Sequence, residues 1–329
     1  MRRRRDEKVL VVCAVALGAL LVVDHAQSQS YPNKPIRLIV GFPPGGGTDV
    51  VARIIAPGLS ENLGQPVVIE NRPGATGTVA AAMVARSPAD GYTLMMGHVS
   101  VNAIAPSLFP NLPYDVIKDF APITLAASVP HLIVVHPSLP VTSLRELIAY
   151  AKARPGKLSF PSAGNGSTPH LAGEMFKSMA GVDLVHVPYK GTGQSMQDLL
   201  AGQHQVAFDT MPASAPYVRA GRLRALAVSS AHRVAEFPDV PTAEEAGVPG
   251  YRITTWYGVF APAGTQPEVV NQLHAEIAKA MQSPETHAKL AEIGADGTIT
   301  RSPEEFAAIV RADAARYGKV VKDAGLKLD

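Results

Sequence analysis

The sequence predicts an α/β protein of two lobes sharing one chain, each a mostly parallel sheet flanked by helices, with a ligand cleft between them. Three observations carry this. Apolar strand-like runs alternate with helical periodicity from residue 36 to residue 260, the pattern of βαβ units. The 329 residues are 47% hydrophobic, and that is more chain than one compact core usually holds. Short stretches at Ser128-Val129-Pro130 and Thr254-Thr255-Trp256 sit where the chain would cross between halves, so two short strands form a hinge. The expected boundaries are 1–28 as an export signal, 29–128 with 254–329 as lobe 1, and 129–253 as lobe 2.

In the first lobe, Ile36 to Val40 is a continuous apolar run, as in a strand buried on both faces. Val51, Ile54, Ile55 and Leu59 recur at helical spacing after it, and Val67 to Glu70, Val79 to Arg86 and Thr93 to Met96 complete a βαβαβ unit. In the second lobe, Leu132 to Val135, Leu158 to Phe160, Val185 to Val187, Val206 to Phe208 and Leu223 to Val228 read as strands. Helices from Leu144, His170 and Gly193 lie between them, and a further one follows Pro212. Ile253 to Phe260 is the last strand. Three helices then start near Pro267, Pro284 and Pro303, each with proline in the first turn, where its missing N–H costs nothing.

The N-terminus reads as a secretory signal. Arg2 to Arg5 and Lys8 are basic, and Val9 to Val23 is apolar. That run falls short of the roughly 20 residues a membrane span takes, and Asp24 and His25 end it. Cleavage is expected after Ser28, with a cut after Ala26 as the alternative. The periplasm is the expected location. Residues 1–28 hold five of the 30 basic and three of the 28 acidic residues, leaving 25 of each. The mature chain is therefore formally neutral, and local geometry rather than a general basic field must hold any anion. Charge this balanced excludes a nucleic-acid partner and disorder. Cys13, the only cysteine, lies inside the signal, so the mature chain has no disulfide, thiol nucleophile or cysteine metal site.

Gly41-Phe42-Pro43-Pro44-Gly45-Gly46-Gly47-Thr48-Asp49 follows a buried strand and opens a helix. Its glycines let a ligand approach the backbone, and the N–H groups at the helix start attract an anion. Thr48 is placed to cap the helix and Asp49 to occupy its first turn. Alone, the segment also reads as a tight capped turn. A second loop favours the ligand reading: Ser162-Ala163-Gly164-Asn165-Gly166-Ser167-Thr168-Pro169-His170 follows a strand and opens a helix too. One such loop per lobe can grip an acid from both sides. His170 is a contact or a packing residue, Asp209 a ligand contact or a helix cap, and Tyr189-Lys190 a strand-end contact or exposed surface.

Other chemistries fail on spacing. Val50 stands where a dinucleotide fingerprint needs glycine, no Gly-Lys-Ser/Thr follows, and no Gly-x-Ser-x-Gly elbow occurs. His131 and His136 lie five residues apart on a strand and so on opposite faces, against a joint metal site. No cofactor or metal is expected, and no catalytic residue.

The motifs together resemble a known family. Tyr31-Pro32-x-Lys34-Pro35-Ile36, running into Phe42-x-Pro44-Gly45-Gly46-x-x-Asp49, is similar to the opening of tripartite tricarboxylate transporter substrate-binding proteins, the Bug-type receptors. The resemblance continues through Glu70-Asn71-Arg72-Pro73-Gly74-Ala75, Ser162-x-Gly164-x-Gly166-Ser167, Val187-Pro188-Tyr189-Lys190-Gly191, Phe208-Asp209 and Trp256-Tyr257-Gly258, over essentially the whole mature chain. It implies a periplasmic binding protein fold of the second type and a monomer. It implies capture of a small organic acid (a di- or tricarboxylate, aromatic acid or amino acid) for integral membrane transporter subunits, with ligand sensing or a hydrolase in the same cleft as the alternatives. The implied ligand-binding residues are Phe42, Gly45, Gly46, Gly47, Thr48, Asp49, Ser162, Gly166, Ser167, Thr168, His170, Tyr189, Lys190 and Asp209. Gly41 departs from the pattern, since many members have proline there.

Overall fold

A computed structural model describes residues 31–109, 111–297 and 299–323. The export signal expected at 1–28 lies outside the described residues.

The first half is the βαβαβ unit. Strand β1 (Ile36–Val40) is followed by helix α1 (Gly47–Leu63), β2 (Val67–Asn71), α2 (Thr78–Ala85) and β3 (Thr93–His98). Strands β2 and β3 flank β1 in parallel. Ile36, Ile39 and Val40 are fully buried, as a strand covered by helices on both faces requires. A π-helical turn over Ser100–Ile104 runs into α3 (Ala105–Leu108).

The 16-residue strand β4 (Phe120–Val135) then carries the chain into the second half. There α4 (Leu144–Lys152), β5 (Ser159–Ser162), α5 (Thr168–Ala180), β6 (Val185–Pro188), α6 (Thr192–Leu200), β7 (Val206–Thr210), α7 (Met211–Arg219) and β8 (Arg224–Val228) follow. Strand β9 (Thr254–Pro262) returns, and α8 (Pro267–Met281), α9 (Pro284–Glu292) and α10 (Pro303–Asp323) close the chain. These last three begin at the prolines the sequence singled out.

The sheet is mixed rather than mostly parallel. Parallel pairing holds for β1 with β2 and β3, and β5 and β6 pair in parallel as a separate two-stranded sheet. Strand β9 is antiparallel to β3 and β4, and β4 is antiparallel to β7 and β8. The cause is topological. Strand β4 takes the chain from one half to the other and β9 brings it back, so the two must run in opposite directions. Residues 120–130 of β4 pair with β9, and residues 131–135 pair with β7 and β8. The described residues from Lys34 onward form one compact unit.

Sequence periodicity found only Leu132 to Val135 of β4. Pro122 and Pro130 interrupt its first part, and proline normally argues against a central strand. Here the register with β9 shifts between Pro122 and Thr124, an irregularity of the kind that accommodates proline.

Helix α10 covers the crossing. Trp256 of β9 is 3% exposed, and its Nε1–H donates to Asp313 Oδ2 at 2.7 Å. The Tyr317 hydroxyl donates to the Thr254 carbonyl at 3.1 Å. Gly258 lies directly beneath Phe306, and a Cβ there would overlap the ring. Gly258→Ala is therefore expected to destabilise the fold by about 1–3 kcal/mol, as overpacking does. A thermal melt checks this, and an unchanged Tm would contradict the close approach.

Candidate functional site

Helices α1 and α6 begin on the same cavity, of about 280 Å³. Phe42, Gly46, Gly47 and Thr48 line it from the first, and Gly191, Thr192, Gly193 and Gln194 from the second. Ser167, Thr168, Lys190, Asp209, His98 and Tyr257 complete the walls.

The α1 turn is held from behind. The Gly45 N–H donates to Asp49 Oδ2 at 2.9 Å, Arg53 Nε reaches the same oxygen at 2.8 Å, and Asn71 Nδ2 donates to Asp49 Oδ1 and to the Phe42 carbonyl. Burial alone would raise the Asp49 carboxyl, but these partners outweigh it and hold it below the usual carboxylate range. Gly45 needs its freedom, since its φ is 81°. Gly41 also has a reason to be there. A Cβ on it would come within 2.9 Å of the Gly77 Cα, so a larger residue would push these segments apart.

Among the described residues no side chain caps Gly46 or Gly191, the N-caps of α1 and α6. Thr48 is not the cap the sequence suggested. It lies one residue inside the helix and lines the cavity. Both helices thus begin with first-turn N–H groups that no side chain satisfies, and such groups favour an anion.

Helix α5 contributes differently. Its N-cap Ser167 accepts from the His170 N–H and donates to the Gly164 carbonyl at 2.7 Å. The Thr168 N–H donates to Ser100 Oγ at 3.1 Å, and Pro169 has no N–H. The Thr168 hydroxyl pairs with Thr255 Oγ1, which also meets His131 Nε2 at 2.8 Å. The Ser162 hydroxyl is taken by the Gly164 carbonyl and His186. This loop builds a wall with its polar groups already used, and α6 supplies the second free helix start.

The predicted site residues therefore fall into three sets. Phe42, Gly46, Gly47, Thr48, Ser167, Thr168, Lys190 and Asp209 line the cavity. Gly45, Asp49, Ser162, Gly166 and His170 stand behind it. The Gly166 N–H donates to His170 Nδ1, and the His170 ring stacks on His186 at 4.0 Å. Tyr189 lines an outer cavity of about 710 Å³ that shares Phe42, Pro43, Ala163 and Lys190 with the inner one. Its hydroxyl donates to Asp198 at 2.6 Å and meets His204 at 2.7 Å.

Pro43, Pro44, Ala163, Pro169, Thr210, residues 191–194, His98 and Tyr257 also line the cavity and lie outside the predicted set. Gly191-Thr192-Gly193 repeats the strand–glycine–helix pattern and was recognisable. His98 was lost because β3 runs two residues past its expected end at Met96. His131 is fully buried in β4, whereas His136 bonds Ser138 at the strand's end. Among the described residues no cluster could hold a metal ion.

Asp209 is 4% exposed, and among the described residues no cation pairs with it. Burial pushes its carboxyl up to about 6, although the Thr210 N–H at 2.7 Å opposes this. The folded protein thus keeps this proton to higher pH than the unfolded chain does. Stability of the ligand-free protein falls as pH rises from about 4 to about 6, by at most about 3 kcal/mol for two units. Asp209→Asn is expected to flatten this step and raise Tm at pH 7.5 but not at pH 4. Melts of both proteins across pH check it, and parallel curves would refute it.

Comparisons with known proteins show the family. A family model described as tripartite tricarboxylate transporter family receptor matches residues 51–326. Protein BugT of Bordetella pertussis is 38% identical over 322 residues, covering 98% of each chain. The structure resembles R. palustris Rpa4515 with adipate, at TM-score 0.87 and 43% identity, covering 91% of this chain and 100% of that one. It also resembles MatC from Rhodopseudomonas palustris with bound malate, at TM-score 0.83 and 35% identity, covering 88% and 100%.

Proposed function

The chain belongs to the tripartite tricarboxylate transporter family of receptors, and we propose that it captures one small organic acid in the periplasm and hands it unchanged to a membrane permease of that system. The observation that carries this reading is the pair of uncapped helix starts, α1 and α6, on one cavity. A neutral mature chain has no general field for anions, so fixed dipoles at one place are what would select them. The relatives bound to adipate and malate support a dicarboxylate of four to six carbons as the ligand.

In this reading residues 29–128 with 254–329 and residues 129–253 are the two lobes, with β4 and β9 as the hinge. The signal at 1–28 exports the chain and leaves a monomer beginning at Gln29 or Gln27. Asp209 faces the ligand's other polar groups, and Lys190 stands where the inner and outer cavities meet.

Mass spectrometry of the small molecules released on denaturing the purified protein tests the proposal. One carboxylic acid in stoichiometric amount, recovered intact after long incubation, is expected. A stoichiometric ligand without a carboxylate, or conversion of the acid, would overturn it.

A further inference from the structure

We propose that His98 and Tyr257 form a pair of neutral donors on the inner wall, which completes the grip on the ligand's carboxylate begun by the first turn of α1. The inference rests on the receptor reading and adds how one end of the acid is recognised.

The two residues face each other across the sheet. His98 ends β3 and is the register partner of Tyr257 on β9. Their ring centroids are 5.4 Å apart, and the Phe42 ring also packs on the imidazole, at 5.0 Å. The Ser100 N–H donates to His98 Nδ1 at 3.0 Å. Nδ1 is therefore the acceptor, and the neutral ring carries its proton on Nε2.

His98 is 7% exposed and Tyr257 1%, and both line the cavity. Among the described residues neither His98 Nε2 nor the Tyr257 hydroxyl has a hydrogen-bond partner. Both residues line the cavity, so an acceptor on the ligand is the natural partner for this wall. The Tyr257 hydroxyl also packs so closely on Gly47 that a Cβ there would overlap it. This places the phenol donor beside the first-turn N–H groups of α1. An ionised carboxylate accepts from all of these groups at once. The His98 Nε2–H and the first-turn N–H groups of α1 can only donate, which favours a carboxylate over an ammonium group at this wall, while Asp209, close enough to act on the Tyr257 hydroxyl, lines the same cavity.

The test uses calorimetry with adipate and with malate as probes. Tyr257→Phe keeps the ring and removes one hydroxyl. His98→Phe keeps a ring between Phe42 and Tyr257 and removes the N–H. Each is expected to weaken the probe that wild-type protein binds by about 10- to 100-fold, the range for a hydrogen bond to a charged group. Affinity within threefold of wild type in both variants would overturn the proposal. Nitrogen NMR of labelled histidine gives a reading independent of any variant's folding. At pH 7 the ligand-free His98 should show a protonated Nε2 and a bare Nδ1, and the opposite tautomer would overturn the proposal. If wild-type protein binds neither probe, the dicarboxylate part of the receptor reading fails, and the tautomer still decides on the donor pair.

Discussion

Gly46→Val is expected to bind the captured acid at least about ten-fold more weakly than wild type, a loss of about 1.4 kcal/mol or more, while melting at nearly the same temperature. The two halves of this expectation have separate causes. Gly46 is the N-cap of α1 with φ −76° and ψ 162°, an extended conformation open to any residue. A Cβ on it would meet only the Pro43 carbonyl, at 3.5 Å, so the fold has room for the substitution. The same residue lines the cavity, and a branched side chain there stands between the ligand and the first-turn N–H groups. Gly47→Ala is the instructive contrast. Its Cβ would overlap the Tyr257 hydroxyl, so stability and affinity should fall together. Calorimetry with the ligand identified by mass spectrometry, beside thermal melts of both variants, distinguishes the cases. Unchanged affinity in Gly46→Val would reduce the loop to a turn.

Local patterns made most of the α/β order legible. The apolar run at 36–40 and the three prolines opening the last helices specified their elements through short-range physics. The mixed sheet was not legible, because strand direction follows from which halves β4 and β9 connect. The site was legible where glycine and a helix start coincide, at Gly46, Gly47 and Thr48. The hydroxyls of Ser162, Ser167 and Thr168, read as ligand contacts, each have a protein partner within about 3 Å, and Ser167 and Thr168 also line the cavity. Tyr257 and His98 carry the reverse lesson. Nothing about a tyrosine inside one strand or a histidine at the end of another announces a cavity until the register sets them opposite each other.

Saturating ligand is expected to shrink the radius of gyration of the mature protein in small-angle scattering. Among the described residues, contacts join the segment before residue 129 to residues 129–253 around the cavity. The Thr76 hydroxyl donates to the Asn165 carbonyl at 2.9 Å, and the Thr168 N–H donates to Ser100 Oγ at 3.1 Å. Gly191 packs against Pro43. Thr76 holds its place with φ 55°, and Ala75 before it has φ 43°, a conformation costly for residues with side chains. Opening the cavity would break these bonds and leave each helix start facing water. A ligand that touches both α1 and α6 binds the closed arrangement better and shifts the population toward it. Taking the closed fraction from about 1% to 99% needs roughly 5.5 kcal/mol of differential affinity, out of about 8.2 kcal/mol for a micromolar ligand. Most ligand contacts must then form only on closure. Thr76→Ala removes one closed-state bond worth about 1 kcal/mol and should weaken binding several-fold without touching the inner cavity. Trp256 is a poor reporter of this motion, because its N–H is tied to Asp313 and its ring packs edge-on against Phe306. A radius that stays constant on saturation, with unaltered affinity in Thr76→Ala, would mean a cavity already closed before the acid arrives, and the permease would then have to sense the ligand by something other than lobe position.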